Sequence, residues 1–327
     1  MLAIALPLAC APQTAELIHD PSHLVLREDG ALTLASSGTD GVGVLTWVVD
    51  PQTGAFTRDE DVFADAIPGW AAEVQEWNPT GEFDAPSMPE EDVLYYTVFD
   101  EGEDGIQDVI GRATRQDGVW VDEGVVTRSQ GEGDHPRAMD PSVFMDLNDQ
   151  PWMVFGSHAG GVYVTPLDEG TGRLATRPDE PWCDGDDDPR FTHLASSGDG
   201  GEENTIEAPY VFAHDGWYYL FVNWGACCRG VDSTYTLRMG RSEHPQGPFL
   251  DADGVDLAEG GGSLFLGSEG HHIGPGHAGI VALDDEDGES FLLSYHYYDA
   301  DDDGVAKLGL RALRWEDGWP VAGAVIE

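Results

Sequence analysis

The words Asp20-Pro21-Ser22 and Asp140-Pro141-Ser142 each stand just before an apolar run. They have relatives in Asp84-Ala85-Pro86-Ser87, in Glu207-Ala208-Pro209-Tyr210 and, more loosely, in Gly274-Pro275-Gly276-His277. Counted from residues 20, 84, 140, 207 and 275, the spacings are 64, 56, 67 and 68. Five such periods fill the 327 residues, and self-similarity of this kind restricts the fold to a repeated supersecondary unit.

The residues after each word also recur in kind: an apolar stretch, a polar turn, then a second apolar or aromatic stretch. The first repeat reads "LVLREDGALTLAS", the third "VFMDLNDQPWMVFGS", the fourth "YVFAHDGWYYLFVNW" and the fifth "AGIVALDDEDGESFLLSYHYY". Asp-Gly or Asn-Asp flanked by Val, Phe, Tyr and Leu predicts a β-hairpin. Further strands are expected in "GVGVLTWVVD", "GGVYVTPLD" and "YTLRMGRS". About four strands per repeat without helical periodicity predict an all-β chain, a five-bladed β-propeller spanning residues 16–327 as one domain. A pair of β-sandwiches and a six-bladed ring with one degenerate blade are the alternatives. The 41% hydrophobic and 10% aromatic content supplies a sizeable core.

In a propeller the innermost strand of every blade starts near the axis, so equivalent positions converge. Proline fixes φ and removes a donor at the strand start, where no ladder bond is needed. Asp20, Asp140 and Glu207 are therefore expected to meet at the axis although far apart in sequence. Like charges brought together raise one another's pKa. One protonated and one ionised carboxyl across a cleft is the arrangement glycoside hydrolysis requires. Asp84, separated from Pro86 by Ala85, is expected slightly off this site. Asp before Pro is also an ordinary turn former in a chain with 62 acidic residues. It is the recurrence in three repeats that favours a site.

Against those 62 acidic residues stand 15 basic ones, a net charge of −47 that repels phosphate backbones and argues against a nucleic-acid partner. The acidity reads as solubility in a saline or calcium-containing medium. "MLAIALPLA" before Cys10 resembles the end of an export signal with a lipidated cysteine, although it has no basic start and carries Pro7. Residues 1–15 are accordingly expected to be an export-signal remnant or an N-terminal tail, and the protein secreted or held at the cell envelope, with a cytoplasmic location left open. No stretch reaches the roughly 18 apolar residues of a membrane span, and a monomer is expected. Cys183, Cys227 and Cys228 are too few for a disulfide scaffold and wrongly spaced for zinc, leaving one bridge involving Cys183 open. "CDGDDDP", "DDEDG" and "DADDDG" resemble calcium loops, but the last lacks the closing Glu, with Leu310 in its place.

The segments "HDPS", "AMDPSVF", "FGSHAGGVYVTPLD", "IEAPYVFAHDGWYYLFVNWGACCRGVDSTYTLRMGRS", "GPGHAGIV" and "SYHYYDADDDG" resemble, in order, glycoside hydrolase family 43 and within it the endo-α-1,5-L-arabinanases. The most specific element is "CCRGVDSTYTLRMGRS", residues 227–242. The resemblance implies a five-bladed propeller and an inverting mechanism in which Asp20 is the general base and Glu207 the general acid. Asp140 would orient Glu207 and keep its pKa raised. Inversion implies a base-to-acid separation of roughly 6.5–9.5 Å. His277 matches a histidine beside a cation, with calcium expected, in the central cavity. His19 matches a substrate-contacting position, and Ser157 and His158 are expected on the substrate side. His158 stands where an aromatic is frequent, and "FDAPS" replaces an aromatic-rich "FWAPD", so Phe99, Trp70 and Trp77 become the candidate sugar platforms. The implied substrate is plant cell-wall arabinan or arabino-oligosaccharides. An exo-acting α-L-arabinofuranosidase or β-xylosidase, a non-catalytic glycan-binding propeller and a calcium-rich adhesion module remain the alternatives.

Overall fold

The computed structural model describes residues 17–27, 29–37, 43–49, 56–62, 83–90, 92–102, 105–130, 136–175, 190–197, 205–285 and 288–326. These form five four-stranded antiparallel sheets, each built in simple chain order. Blade one holds β1 (Val25–Leu26), β2 (Leu32–Ser37), β3 (Val44–Val49) and β4 (Phe56–Asp61). Blade two holds β5 (Phe83–Glu90), β6 (Val93–Gly102), β7 (Gly105–Gln116) and β8 (Val119–Gln130). Blade three holds β9 (Ser142–Met145), β10 (Pro151–Phe155), β11 (Val162–Pro166) and β12 (Thr192–Ala195). Blade four holds β13 (Glu207–His214), β14 (Trp217–Trp224), β15 (Thr236–Ser242) and β16 (Ser263–Leu266). Blade five holds β17 (His272–Asp285), β18 (Gly288–Asp299), β19 (Val305–Glu316) and β20 (Trp319–Val325). The repeat period in the sequence is one blade.

The hairpins close where the turn chemistry says they should. Asp117-Gly118, Asp215-Gly216 and Asp317-Gly318 each place both residues at positive φ, the twist that matches antiparallel strands in a two-residue turn. Aspartate tolerates this region and glycine is indifferent to it.

The core is divided among the blade interfaces. One buried cluster joins Ala35 and Val44 of blade one to Leu94, Tyr96 and Val98 of blade two. The next joins Tyr95 and Ile110 of blade two to Met153 and Phe155 of blade three. Blades three and four share Val154, Val164, Val211 and Leu220, and blades four and five share Tyr219, Phe221, Leu293 and Tyr295. The ring closes as Leu34, Leu45 and Trp47 pack on Val281, Leu283, Leu308 and Leu310, helped by a bond from Ile18 N–H to Ala306 O of 3.1 Å. Sheets that each bury their faces on both neighbours need no separate core.

Around the axis, a tunnel is lined by Pro21, Pro86, Pro141, Pro209 and Ala278, one residue from each blade. The fifth repeat therefore aligns at His277-Ala278 rather than at Gly274-Pro275, a correction to the repeat as read from the sequence. Ala278 takes the place of proline without its ring. Space is tight there: a Cβ on Gly279 would lie 2.4 Å from His23 Cα, so blades five and one meet only because that residue is glycine.

Leu34 is fully buried in the closing interface, whereas Leu26 is half exposed at the start of the same blade. Leu34→Ala should lower unfolding free energy by about 2–5 kcal/mol in urea titrations, and Leu26→Ala by less than about 0.5 kcal/mol. Equal effects would contradict the assignment of the core to the closing interface.

Candidate active site

Four residues at the tunnel mouth share one unusual backbone state. Asp20, Asp140, Ala208 and His277 have φ of 45°, 51°, 52° and 51°, immediately before Pro21, Pro141, Pro209 and Ala278. The left-handed region is uncommon outside glycine, although aspartate is enriched in it. Each kink turns a backbone N–H toward the preceding blade, where a side chain accepts it. Asp140 N–H donates to Thr97 Oγ1 at 3.1 Å, Ala208 N–H to Asp140 Oδ2 at 2.9 Å, His277 N–H to Asn223 Oδ1 at 3.1 Å, and Asp20 N–H to His296 Nδ1 at 3.2 Å. Thr97, Asn223 and His296 are equivalent, facing Asp84, Glu207 and Gly276 across the first hairpin of their blades.

The kinks aim Asp20 and Asp140 inward as the repeat predicts, but Glu207 arrives differently. Ala208 occupies the equivalent position, so Glu207 lies one residue earlier, at the start of a register shift from Glu207 to Tyr210 that recurs at Asp84–Ser87 and Gly276–Gly279.

Asp20 is buried in a cage of donors. Its Oδ2 meets His19 Nδ1 at 2.5 Å and the Ser37 hydroxyl at 3.1 Å, while Oδ1 meets His277 Nδ1 at 2.5 Å. Burial pushes the carboxyl up, but His19 and His277 outweigh it and hold Asp20 well below the ordinary carboxylate range. Asp140 behaves oppositely. Burial, with the charges of Glu207 and Asp20, pushes it up to about 6, against the counter-pull of His277 and the Ala208 N–H. Asp140 is thus within electrostatic reach of Glu207, His277 and Asp20.

Glu207, also buried, has a separate set of partners. Its Oε2 accepts from the Ser157 hydroxyl at 2.9 Å and lies 2.9 Å from His158 Nε2, and Oε1 accepts from the Tyr235 hydroxyl. Glu207 in turn holds the partly exposed His158 imidazole above its ordinary value.

A family model described as "Glycosyl hydrolases family 43" matches residues 63–320. The chain belongs to glycosyl hydrolases family 43. It is 31% identical over 322 residues to an extracellular endo-α-(1→5)-L-arabinanase of Bacillus subtilis, covering 93% of this chain and 87% of that one. It is 32% identical to an extracellular exo-α-(1→5)-L-arabinofuranosidase of Cellvibrio japonicus, covering 96% and 88%. Among solved structures, the family 43 endo-arabinanase of Bacillus licheniformis superposes with a TM-score of 0.75 at 31% identity, covering 93% of this chain and 97% of that one.

Within this family 43 site Ser157 and His158 lie against Glu207, and His19 lies against Asp20. Ser157, expected on the substrate side, is fully buried and its hydroxyl donates to Glu207. His158 also faces Glu207, with its side chain 48% exposed. His19 bridges Asp20 and the Tyr298 hydroxyl, the latter at 2.7 Å. Phe99 falls in β6 opposite Asp108, its side chain outside the described residues, as are Trp70 and Trp77 entirely. Cys227 and Cys228 are bonded to each other, which removes them as partners for Cys183, itself outside the described residues. In the 299–304 loop, Asp299 and Asp302 share the Lys307 ammonium at 2.8 and 2.7 Å, so this turn carries its own cation. Residues 1–16 and 183–189 lie outside the described residues.

Sequence reasoning misses Ser37, Tyr235, His296 and Tyr298 as site residues. Tyr235 and the pair His296 and Tyr298 sit inside the segments "DSTYTL" and "SYHYY", where polar groups interrupt strands otherwise bound for the core. His19, Asp20 and His296 present ligand atoms within 4.8 Å of one another, a cluster that a metal could also occupy.

Asp140 carries a folded pKa above its unfolded one, so the native state loses stability as pH rises from about 4 through about 6. Asp140→Asn removes that loss while keeping an oxygen for the Ala208 N–H. It should raise Tm by about 2–4 °C at pH 7.5, with a smaller gain at pH 4.5, in paired melting curves. A gain independent of pH would show that Asp140 is not the buried acid whose ionisation costs stability.

Proposed function

We propose that this family 43 glycoside hydrolase cuts α-1,5-linked L-arabinan internally and with inversion. The observation that carries this reading is the pair of separately held carboxyls: an ionised Asp20 in a cage of imidazoles, and Glu207 in a cage of hydroxyls and His158. An inverting mechanism uses two such carboxyls, one activating a water on the face of the sugar opposite the other. The endo- and exo-acting arabinan-degrading relatives support the substrate class.

Asp20 takes the proton of the attacking water. It is ionised throughout the neutral range, and its Oδ1 and Oδ2 are fixed from opposite sides. Glu207 protonates the departing glycosidic oxygen, its carboxyl aimed by Ser157, His158 and Tyr235. Asp140 acts on Glu207 through the backbone, accepting the N–H of the next residue, Ala208. His158, half exposed beside Glu207, contacts the sugar in this reading. The working form is a monomer, secreted like the two relatives described as extracellular.

A cation at the tunnel would be held by His277, calcium being the expected ion. His277 lies 2.5 Å from Asp20 and within the electrostatic reach of Asp140, so its surroundings are imidazole plus carboxylate, a set that suits a hard cation completed by water. When bound, its charge would favour the ionised forms of the surrounding acids. Metal analysis after dialysis should find the cation in the wild type and not in His277→Ala; equal retention would remove His277 as its holder.

On debranched linear arabinan the enzyme should release short oligosaccharides before monosaccharide. Monosaccharide alone would make it exo-acting, the second reading that the Cellvibrio relative supports. Glu207→Gln should lower kcat on arabinan by about 10²–10⁴-fold and spare aryl arabinosides, whose leaving groups need little protonation. Equal losses on both would remove Glu207 as the acid.

A further inference from the structure

The Cys227–Cys228 disulfide is not accounted for by the chemistry above. It lies just beyond β14 at the cleft, with Cys228 exposed and its Sγ 3.9 Å from His19 Nε2. Cys228 adopts φ of 64°, a conformation that a non-glycine residue outside a constrained setting rarely keeps. In that conformation its backbone N–H donates to the Tyr298 hydroxyl at 2.7 Å. Tyr298 is buried in β18 of blade five, and its hydroxyl lies 2.7 Å from His19 Nε2. His19 Nδ1 then lies 2.5 Å from Asp20 Oδ2. Blades four, five and one are thus joined in one chain of hydrogen bonds.

The donors and acceptors in this chain leave little freedom. A backbone N–H can only donate, so Tyr298 accepts from Cys228 and its single proton is available to His19 Nε2. The Cys228 loop is closed on itself nearby, where the Ser233 oxygen accepts from Arg229 N–H at 3.1 Å. At the far end, an ionised carboxylate can only accept, so His19 Nδ1 carries the hydrogen. Both ends demand the same neutral tautomer. His296 stacks on His19 with ring centroids 4.3 Å apart and planes 20° from parallel, which opposes rotation of the ring.

We propose that the Cys227–Cys228 loop and Tyr298 are positioning elements for the base, fixing His19 as the Nδ1–H tautomer so that it holds Asp20 Oδ2 in place. The disulfide keeps the Cys228 amide turned toward Tyr298; opened, the residue relaxes toward ordinary backbone and the N–H turns away. Tyr298 and the cysteines touch no reacting atom in this scheme, so their loss acts on turnover rather than on sugar binding. The proposal rests on the assignment of Asp20 as base.

The test combines kinetics with ¹⁵N NMR of histidine-labelled protein. In the wild type, His19, assigned by its loss in His19→Gln, should show a protonated Nδ1 and an unprotonated Nε2; a protonated Nε2 overturns the proposal, whatever any variant does. Tyr298→Phe should lower kcat about 10–100-fold with KM within about twofold. The Cys227→Ser, Cys228→Ser double variant should give the same split, and adding Tyr298→Phe to it should cost no further turnover. Wild-type kcat in Tyr298→Phe or in the cysteine variant, with circular dichroism unchanged, overturns the relay. Asp20→Asn separates the two layers: if it keeps wild-type turnover, the base assignment fails, and if it is inactive while Tyr298→Phe is unaffected, only the relay fails.

Discussion

At the mouth of the tunnel, four left-handed residues each hand a backbone N–H to a side chain of the blade before them, and the catalytic geometry depends on those bonds. Thr97, Asp140, Asn223 and His296 are the acceptors, and each is buried. A buried N–H left without a partner would cost about 1–3 kcal/mol, so the kinks persist only while the ring is assembled. Conversely, the kinks turn Asp20, Asp140 and His277 toward the axis. Blade packing and site geometry are one constraint: the interface between two blades is where the next carboxyl or imidazole is aimed.

The same arrangement divides the electrostatics. All three acids are buried, which by itself favours their neutral forms. Asp20 escapes that tendency because His19 and His277 approach both its oxygens, whereas Asp140 has Glu207 and Asp20 as neighbours and is pushed up to about 6. Environments that drive chemically similar groups apart let one site hold a carboxyl kept ionised, Asp20, beside one whose pKa is raised, Asp140. Asp140 is also where the two cages communicate, since its charge is felt through His277 on one side and its oxygen holds the Ala208 N–H on the other.

How much of this is legible in the sequence depends on where the information is written. Asp-Pro-Ser is a backbone instruction, complete within three residues, so the repeat reveals the propeller, the hairpins and the inward aim of Asp20 and Asp140. Glu207 is recognisable as an acid, but it stands one residue before the kinked position, which Ala208 fills, so it is not the counterpart of Asp20 and Asp140 that the repeat suggests. In the fifth repeat Pro275 attracts the alignment, although Ala278 holds the tunnel position and His277 the kink. The cage residues Ser37, Tyr235, His296 and Tyr298 are invisible as a set. They lie on β2, on β18 and just before β15, and become neighbours of the acids only after separate blades have packed. Ser157 stands out in the sequence, but only the fold shows that its hydroxyl turns to Glu207.

The central claim is that Asp20 activates water on the face of the sugar opposite Glu207, with no covalent link to the enzyme. The most direct measurement is the anomeric configuration of the first product released from linear arabinan, followed by ¹H NMR or polarimetry before mutarotation. The account predicts inversion, the first product appearing as the β-anomer. Initial release of the α-anomer would mean a glycosyl-enzyme intermediate and would contradict the assignment of Asp20 as a base acting on water.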